Sequence, residues 1–378
     1  MPGTPDEPYL LTPGPLTTSA DVKRAMLRDW GSRDDSFIAL NARVRERLVR
    51  LAGADADHVC VPLQGSGTFV VEAMIGTLVP KEGKLLVLAN GAYGQRMAAM
   101  ARYHGRRISV LETAEDRPND PEALDRALAE DDAITHVAAV HCETTSGILN
   151  PIEQIGEVTA RRGRRLLIDA MSAFGALPLD AGQTPFEALA ASANKCLEGV
   201  PGMGFAIVRK DALEAAKGRA PALSLDLHDQ WAAMERNGQW RFTPPTHVLA
   251  ALDQALAEHE AEGGVEGRGA RYRESCRILI EGMRALGFET LLPNRLQAPI
   301  IVTFRMPADP RFVFEEFYDR LRRRGYVIYP GKLTVAPSFR IGCIGRIGPE
   351  EMRGALSAIE ATLEEMGVES GRPAEGAA

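Results

Sequence analysis

The chain has 378 residues, 45% of them hydrophobic and 25% charged, with a formal net charge of −7 at pH 7. That length exceeds one ordinary core and points to two domains, while an acidic balance without long basic blocks argues against nucleic acid as the main partner. Five scattered cysteines, at 60, 142, 196, 276 and 343, lack CxxC spacing and read as reduced thiols rather than a disulfide framework or a zinc site.

In chain order, Met1–Tyr9 is polar, without the apolar region of a signal peptide, and no apolar segment approaches the roughly 20 residues that span a bilayer. The expectation is a soluble cytoplasmic protein with no membrane partner. Leu10-Leu11-Thr12-Pro13-Gly14-Pro15-Leu16 is too rich in proline and glycine for a helix, so residues 1–20 form an extended segment, an entry loop or one wall of a site. Helices are expected near 20–29 and 37–52. Val59 to Thr68 reads as a strand and a Gly-rich turn running into a helix from Phe69, which offers backbone N–H groups and a positive helix end to a phosphate. Ser66 and Thr68 could add hydroxyl donors. Val70 breaks a dinucleotide fingerprint, and no Lys-Ser/Thr follows for a Walker loop.

Lys84–Ala89 is a further apolar run, and Tyr93 follows it between two glycines, where its ring can face a flat ligand or simply cover the core. Val137–Val140 opens into His141-Cys142-Glu143-Thr144-Thr145-Ser146-Gly147, whose hydroxyls can meet a ligand oxygen or cap turns. No other ligand cluster supports a metal at His141 and Cys142. Asn150 reads as the N-cap of a helix with Pro151 first and Glu153 at the third position. Strands at 58–62, 84–89, 136–140, 165–169, 187–192 and 204–208, separated by helical segments, form the pattern of a doubly wound, mostly parallel α/β sheet whose last strand could be antiparallel. Asp169 and Lys195 then both emerge at carboxyl ends of strands, where such sheets bind ligands. Each alone is an ordinary helix cap or loop lysine. Together they can hold pyridoxal phosphate, the lysine as a Schiff base and the aspartate against a pyridinium nitrogen.

Glu262-Gly263-Gly264 is the expected boundary between a large domain, 21–262, and a small C-terminal α+β domain, 263–367, with a Gly/Pro/Ala/Glu-rich flexible tail at 368–378. The small domain reads as a helix near 266–286, a strand at 300–304, a helix near 311–324, further strands at 326–329 and 339–345, and a terminal helix.

Ten segments, in order over nearly the whole chain, resemble the fold-type-I, class-V aminotransferases: LLTPGPLTTS (10–19), LQGSGTFVVEA (63–73), NGAYGQRM (90–97), HCETTSGILNPI (141–152), IDAMSAFG (168–175), SANKCLEGVPG (192–202), LSLDLHDQW (223–231), WRFTPPTH (240–247), YPGK (329–332) and FRIGCIG (339–345). The SLDL and RFTPPTH stretches resemble the phosphonate-using branch. The resemblance implies transfer of an amino group from 2-aminoethylphosphonate to pyruvate, in phosphonate catabolism, by a pyridoxal-phosphate enzyme. It implies that Lys195 holds the cofactor and shuttles the proton, and that Asp169 pairs with its ring nitrogen. Tyr93 stacks on the ring, Ser66, Gly67 and Thr68 hold the phosphate, and Thr144 or Thr145 meets the ring hydroxyl. Arg340 grips the substrate's acid group, and Thr243 and Thr246 reach the phosphate of a neighbouring subunit, which implies a homodimer. Alternatives are a serine– or alanine–glyoxylate aminotransferase and a non-catalytic homologue that binds the cofactor. A cysteine desulfurase fits less well, since Cys343 falls in an expected strand rather than a mobile loop.

Overall fold

The chain is described from a computed structural model that covers residues 3–333 and 336–374. Its central sheet has seven strands, named here in chain order: β1 His58–Gln64, β2 Lys84–Ala89, β3 Arg107–Glu112, β4 Ile134–Val140, β5 Arg165–Asp169, β6 Ala188–Ser192 and β7 Met203–Arg209. Their spatial order is β1-β7-β6-β5-β4-β2-β3, and only β7 runs against the rest. Both faces are covered, which is why the interior strands read as unbroken apolar runs. On β2, Leu86 and Leu88 enter one core while Leu85 and Val87 enter the other; β4 divides Val137 and Ala139 from Ala138 and Val140 in the same way.

The sequence expectation contains no strand at 107–112. There β3 forms the sheet edge, and its mixed, half-exposed residues lack the continuous apolar run that marks a buried strand. The expectation for Asn150 also needs correction. Pro151 is the N-cap of the Ile152–Arg161 helix, and the Asn150 side chain does other work. Its Nδ2 donates to the Val140 carbonyl at 2.9 Å and its Oδ1 accepts from Asn90 and from the Asn119 backbone. It ties together the loops that leave β2 and β4.

The C-terminal part has its own apolar cluster. The strands Ile301–Arg305, Ser338–Gly342 and Tyr329–Pro330 form an antiparallel sheet around Phe288, Phe304 and Phe339. The Phe339 ring centroid lies 5.7 Å from that of Phe288 and 5.7 Å from that of Phe304. Residues Tyr9–Leu10 pair with Tyr326–Val327, so the entering chain is stitched to this part before it crosses to the central sheet. Val368 and Gly371, at the start of the expected tail, pack on the same cluster, and 375–378 lie outside the described residues.

A buried ionic group joins the two parts behind Lys195. From the Gly264–Ala285 helix, Arg268 donates to the Cys196 carbonyl at 2.5 Å, Arg271 to Glu198 at 2.7 Å and the Tyr272 hydroxyl to Glu198 at 2.6 Å. Glu262 takes both arginines from the other side. Glu198 holds a left-handed backbone, φ 60°, that a non-glycine residue adopts only when its surroundings fix it. Removing one member strands buried charge on its neighbours. Glu198→Ala is therefore expected to lower stability by about 3–5 kcal/mol in urea unfolding; a change below about 1 kcal/mol would show that the cluster carries no structural load.

Candidate active site

Five parallel strands deliver their carboxyl ends to one cleft. β1 runs into the turn Gly65-Ser66-Gly67, β2 into the loop before Tyr93, β4 into the loop of Thr144, β5 ends on Asp169, and β6 leads to Lys195. The cleft holds a cavity of about 230 Å³ lined by Ser66, Gly67, Thr68, Tyr93, Arg96, Thr144, Asp169 and Lys195, among others. Sequence-predicted residues from five segments thus meet in space.

The Lys195 amine donates to the Pro13 carbonyl at 2.6 Å, so the N-terminal segment is a wall of the site. Gly14 stands against it with φ +113°, and a Cβ there would meet Lys195 Nζ at 2.7 Å. Only glycine fits that approach. Burial pushes the Lys195 ammonium below its ordinary value, opposed by Tyr93, Cys196 and Asp169 and assisted by Arg340. An amine displaced in that direction is more readily neutral, which nucleophilic and base chemistry requires.

Asp169 is 5% exposed, and its carboxyl is raised from 3.8 to about 6. Burial is the chief cause and Glu143 adds to it, against the Met171 N–H at 3.0 Å and the charges of Lys195 and Arg96. A carboxyl held this way favours a cation placed beside it.

The Gly67–Leu78 helix opens at Ser66, which makes no side-chain cap bond. The first N–H groups of the helix are thereby left for an anion at the cavity wall. Gly67 is packed against Met171, where a Cβ would come within 2.3 Å of the sulfur. Arg96, one turn along the Ala92–Tyr103 helix from Tyr93, reaches Thr68 Oγ1 at 3.3 Å. It lines the cavity without an ion-pair partner among the described residues. Ser192 Oγ, also on the wall, is buried with no hydrogen-bond partner among the described residues.

Glu143 organises the opposite side. Fully buried, it accepts from the Tyr93 and Gly94 N–H groups at the start of the Ala92–Tyr103 helix, and from the Thr145 hydroxyl at 2.6 Å. Thr145 in turn accepts from Ala92 N at 2.9 Å. Of the two threonine candidates, Thr144 therefore faces the cavity and Thr145 is committed to the scaffold. Burial alone would raise the Tyr93 phenol, but the Thr144 hydroxyl and the charges of Lys332, Lys195 and Arg340 outweigh it and lower the phenol.

Arg340 lies in the strand Ser338–Gly342, 2% exposed, just outside the cavity wall. Its Nε donates to the Pro330 carbonyl at 3.0 Å and its Nη1 to the Thr144 carbonyl at 2.7 Å. Thr243 and Thr246 do not join this cavity. Thr243 lies on an outer surface with Phe69 and Phe242, and the Thr246 hydroxyl sits 3.4 Å from His247 Nδ1. Cys343 is fully buried, and burial together with Cys276 raises its thiol well above the ordinary value, so it offers no reactive thiolate. Sequence reasoning missed Arg96, Glu143 and Lys332. The three-residue spacing of Tyr93 and Arg96 on a helix was the available signal for the first; nothing local marks the other two.

Three comparisons bear on this arrangement. A family model described as aminotransferase class-V matches residues 18–341. The chain is 56% identical over 361 residues to the 2-aminoethylphosphonate–pyruvate transaminase of Pseudomonas putida, covering 96% of this chain and 98% of the relative. It is 55% identical over 362 residues to 2-aminoethylphosphonate–pyruvate transaminase 2 of Burkholderia lata, covering 96% of each. Among solved structures, pyridoxamine-pyruvate aminotransferase from Mesorhizobium loti superposes with a TM-score of 0.88 at 26% identity, covering 96% of this chain and 95% of that one. Ureidoglycine-glyoxylate aminotransferase from Bacillus subtilis gives 0.88 at 24% identity over 98% and 96%, a likeness of fold.

The raised Asp169 carboxyl has a consequence for the ligand-free protein. Its folded value, about 6, exceeds the ordinary 3.8, so the contribution of this one group to stability is fully present below 3.8 and is lost as pH rises through about 6. Asp169→Asn is expected to make the ligand-free protein more stable at pH 8 by up to about 3 kcal/mol, the gap closing toward pH 4. Equal stability curves across that range would contradict a buried, destabilised carboxylate.

Proposed function

The chain belongs to the class-V aminotransferases, and on that premise we propose that it transfers the amino group of 2-aminoethylphosphonate to pyruvate, giving phosphonoacetaldehyde and L-alanine. One observation carries this reading: the buried Lys195 amine and Asp169 carboxyl share a cleft with an open anion-binding helix end.

The residues fit pyridoxal phosphate. The uncapped turn at Ser66, Arg96 with no carboxylate partner among the described residues and the Ser192 hydroxyl together suit an oxyanion. Ser66, Gly67, Thr68 and Arg96 would hold the phosphate, Tyr93 would offer its ring, Thr144 would meet the ring hydroxyl and Asp169 would face the ring nitrogen. When bound, the cofactor supplies an electron sink for the substrate carbon that loses its proton.

The protein's part is positioning and proton transfer. Desolvation shifts Lys195 toward the neutral amine, and Nζ donates to the Pro13 carbonyl, which orients it. The same Nζ would accept the proton from the substrate carbon and deliver it to the cofactor carbon through which the amino group is transferred. Asp169 would hold a proton on the ring nitrogen, the neighbouring cation favouring its ionised carboxylate. Arg340, fixed by two carbonyls, directs its fork at the acid group, phosphonate in one half-reaction and carboxylate in the other.

The active form in this reading is a homodimer in the cytoplasm. Phe69, Leu223 and Phe242 are 50%, 72% and 52% exposed beside the cofactor turn, an apolar patch that a second copy would cover, bringing its Thr243 and Thr246 to the phosphate. Five free, buried cysteines suit a reducing compartment.

Three results are expected. Adding 2-aminoethylphosphonate to the cofactor-loaded enzyme should convert its absorption spectrum to that of the amine form, and pyruvate should reverse it with one L-alanine formed per turnover. Turnover only of serine or alanine with glyoxylate would contradict the substrate assignment. Arg96→Met should weaken pyridoxal phosphate about 10- to 100-fold in equilibrium binding, the value of a charge-assisted contact; unchanged binding removes Arg96 from the phosphate site. Phe242→Glu should dissociate the dimer in sedimentation, whereas a wild type that sediments as a monomer defeats the dimer.

A further inference from the structure

A second cation, from the turn Tyr329-Pro330-Gly331-Lys332, stands over the Tyr93 ring at the edge of the cleft. Lys332 Nζ lies 4.2 Å from the centroid of the Tyr93 ring, and Tyr93 lines the cavity. The turn is tied to Arg340 at two points. The Pro330 carbonyl accepts from Arg340 Nε at 3.0 Å, and the Tyr329 ring lies 5.3 Å from the Arg340 guanidinium. Gly331 is pressed on the strand that carries Arg340, so closely that a Cβ would come 2.1 Å from the Ser338 carbonyl. The backbone that carries Lys332 is therefore held against the strand that carries Arg340. Both also act on the Tyr93 phenol. Neither forms an ion pair with a carboxylate among the described residues.

A carboxylate needs less than this. Its two oxygens lie in one plane and carry one negative charge, which a guanidinium fork satisfies alone. A phosphonate has three oxygens in a tetrahedron and, like a phosphate ester, a second ionisation near neutral pH. Its third oxygen and second charge require a donor outside the plane of the fork. An ammonium on a flexible stem is such a donor, and an aromatic face is a resting place for it when the ligand does not call on it.

We infer that Lys332 is the second cation of the acid-group site, and that together with Arg340 it selects a doubly charged phosphonate over a singly charged carboxylate. The inference rests on the transaminase reading above. Arg340 serves both half-reactions, and Lys332 serves the phosphonate half alone.

The test compares Lys332→Met with wild type in the two half-reactions, each followed by the cofactor spectrum in a single turnover. The second-order constant with 2-aminoethylphosphonate should fall about tenfold or more, while that with L-alanine stays within about threefold. Retained reaction with L-alanine also shows that the variant is folded. Competitive inhibition by ethylphosphonate should weaken in parallel, and inhibition by propionate should not. Equal losses with both donors, or no loss with the phosphonate, would overturn the inference while leaving the transaminase reading intact. A wild type that reacts with L-alanine but not with 2-aminoethylphosphonate would overturn both.

Discussion

An amine and a carboxyl are buried together at the ends of adjacent strands, Lys195 past β6 and Asp169 at the end of β5, and both are displaced from their ordinary ionisation by loss of water. Burying ionisable groups costs stability unless something compensates them. The parallel sheet makes the cost bearable. Its strands bury side chains on both faces and pair their backbones, so a short stretch past each carboxyl end can hold polar groups in a dry cleft.

Around this pair the scaffold is arranged in depth. Behind Lys195, Arg268 holds the Cys196 carbonyl and Glu198 anchors the turn to the Gly264–Ala285 helix. On the far side, Glu143 closes the start of the Ala92–Tyr103 helix and so fixes where Tyr93 stands. Asn150 knots the loops from β2 and β4. None of these side chains lines the cavity, yet each decides where a lining residue lies. The cations Arg96, Arg340 and Lys332, placed against a chain of net charge −7, give the cleft a local sign opposite to that of the whole molecule.

The parallel sheet was legible because its interior strands are short apolar runs with turn residues after them, and Lys195, Asp169 and the Ser66–Thr68 turn all follow such runs. The edge strand Arg107–Glu112 escaped because an edge is only half buried and its pattern is mixed. Asn150 misled for a different reason. An asparagine before a proline is a good helix cap locally, but tertiary contacts to Asn90, Asn119 and Val140 claimed its side chain. The choice between Thr144 and Thr145 could not be made from sequence either, since it turns on which hydroxyl Glu143 takes. Lys332 is joined to the site through space, across more than two hundred residues from Tyr93, and carries no local signature.

The central claim is covalent attachment of a vitamin B6 ring to one particular amine. Borohydride reduction of the cofactor-loaded protein, followed by peptide mapping, tests it directly. The account predicts the reduced label on Lys195 and its loss in Lys195→Ala; a label on any other lysine, Lys332 included, or no label at all, would contradict it.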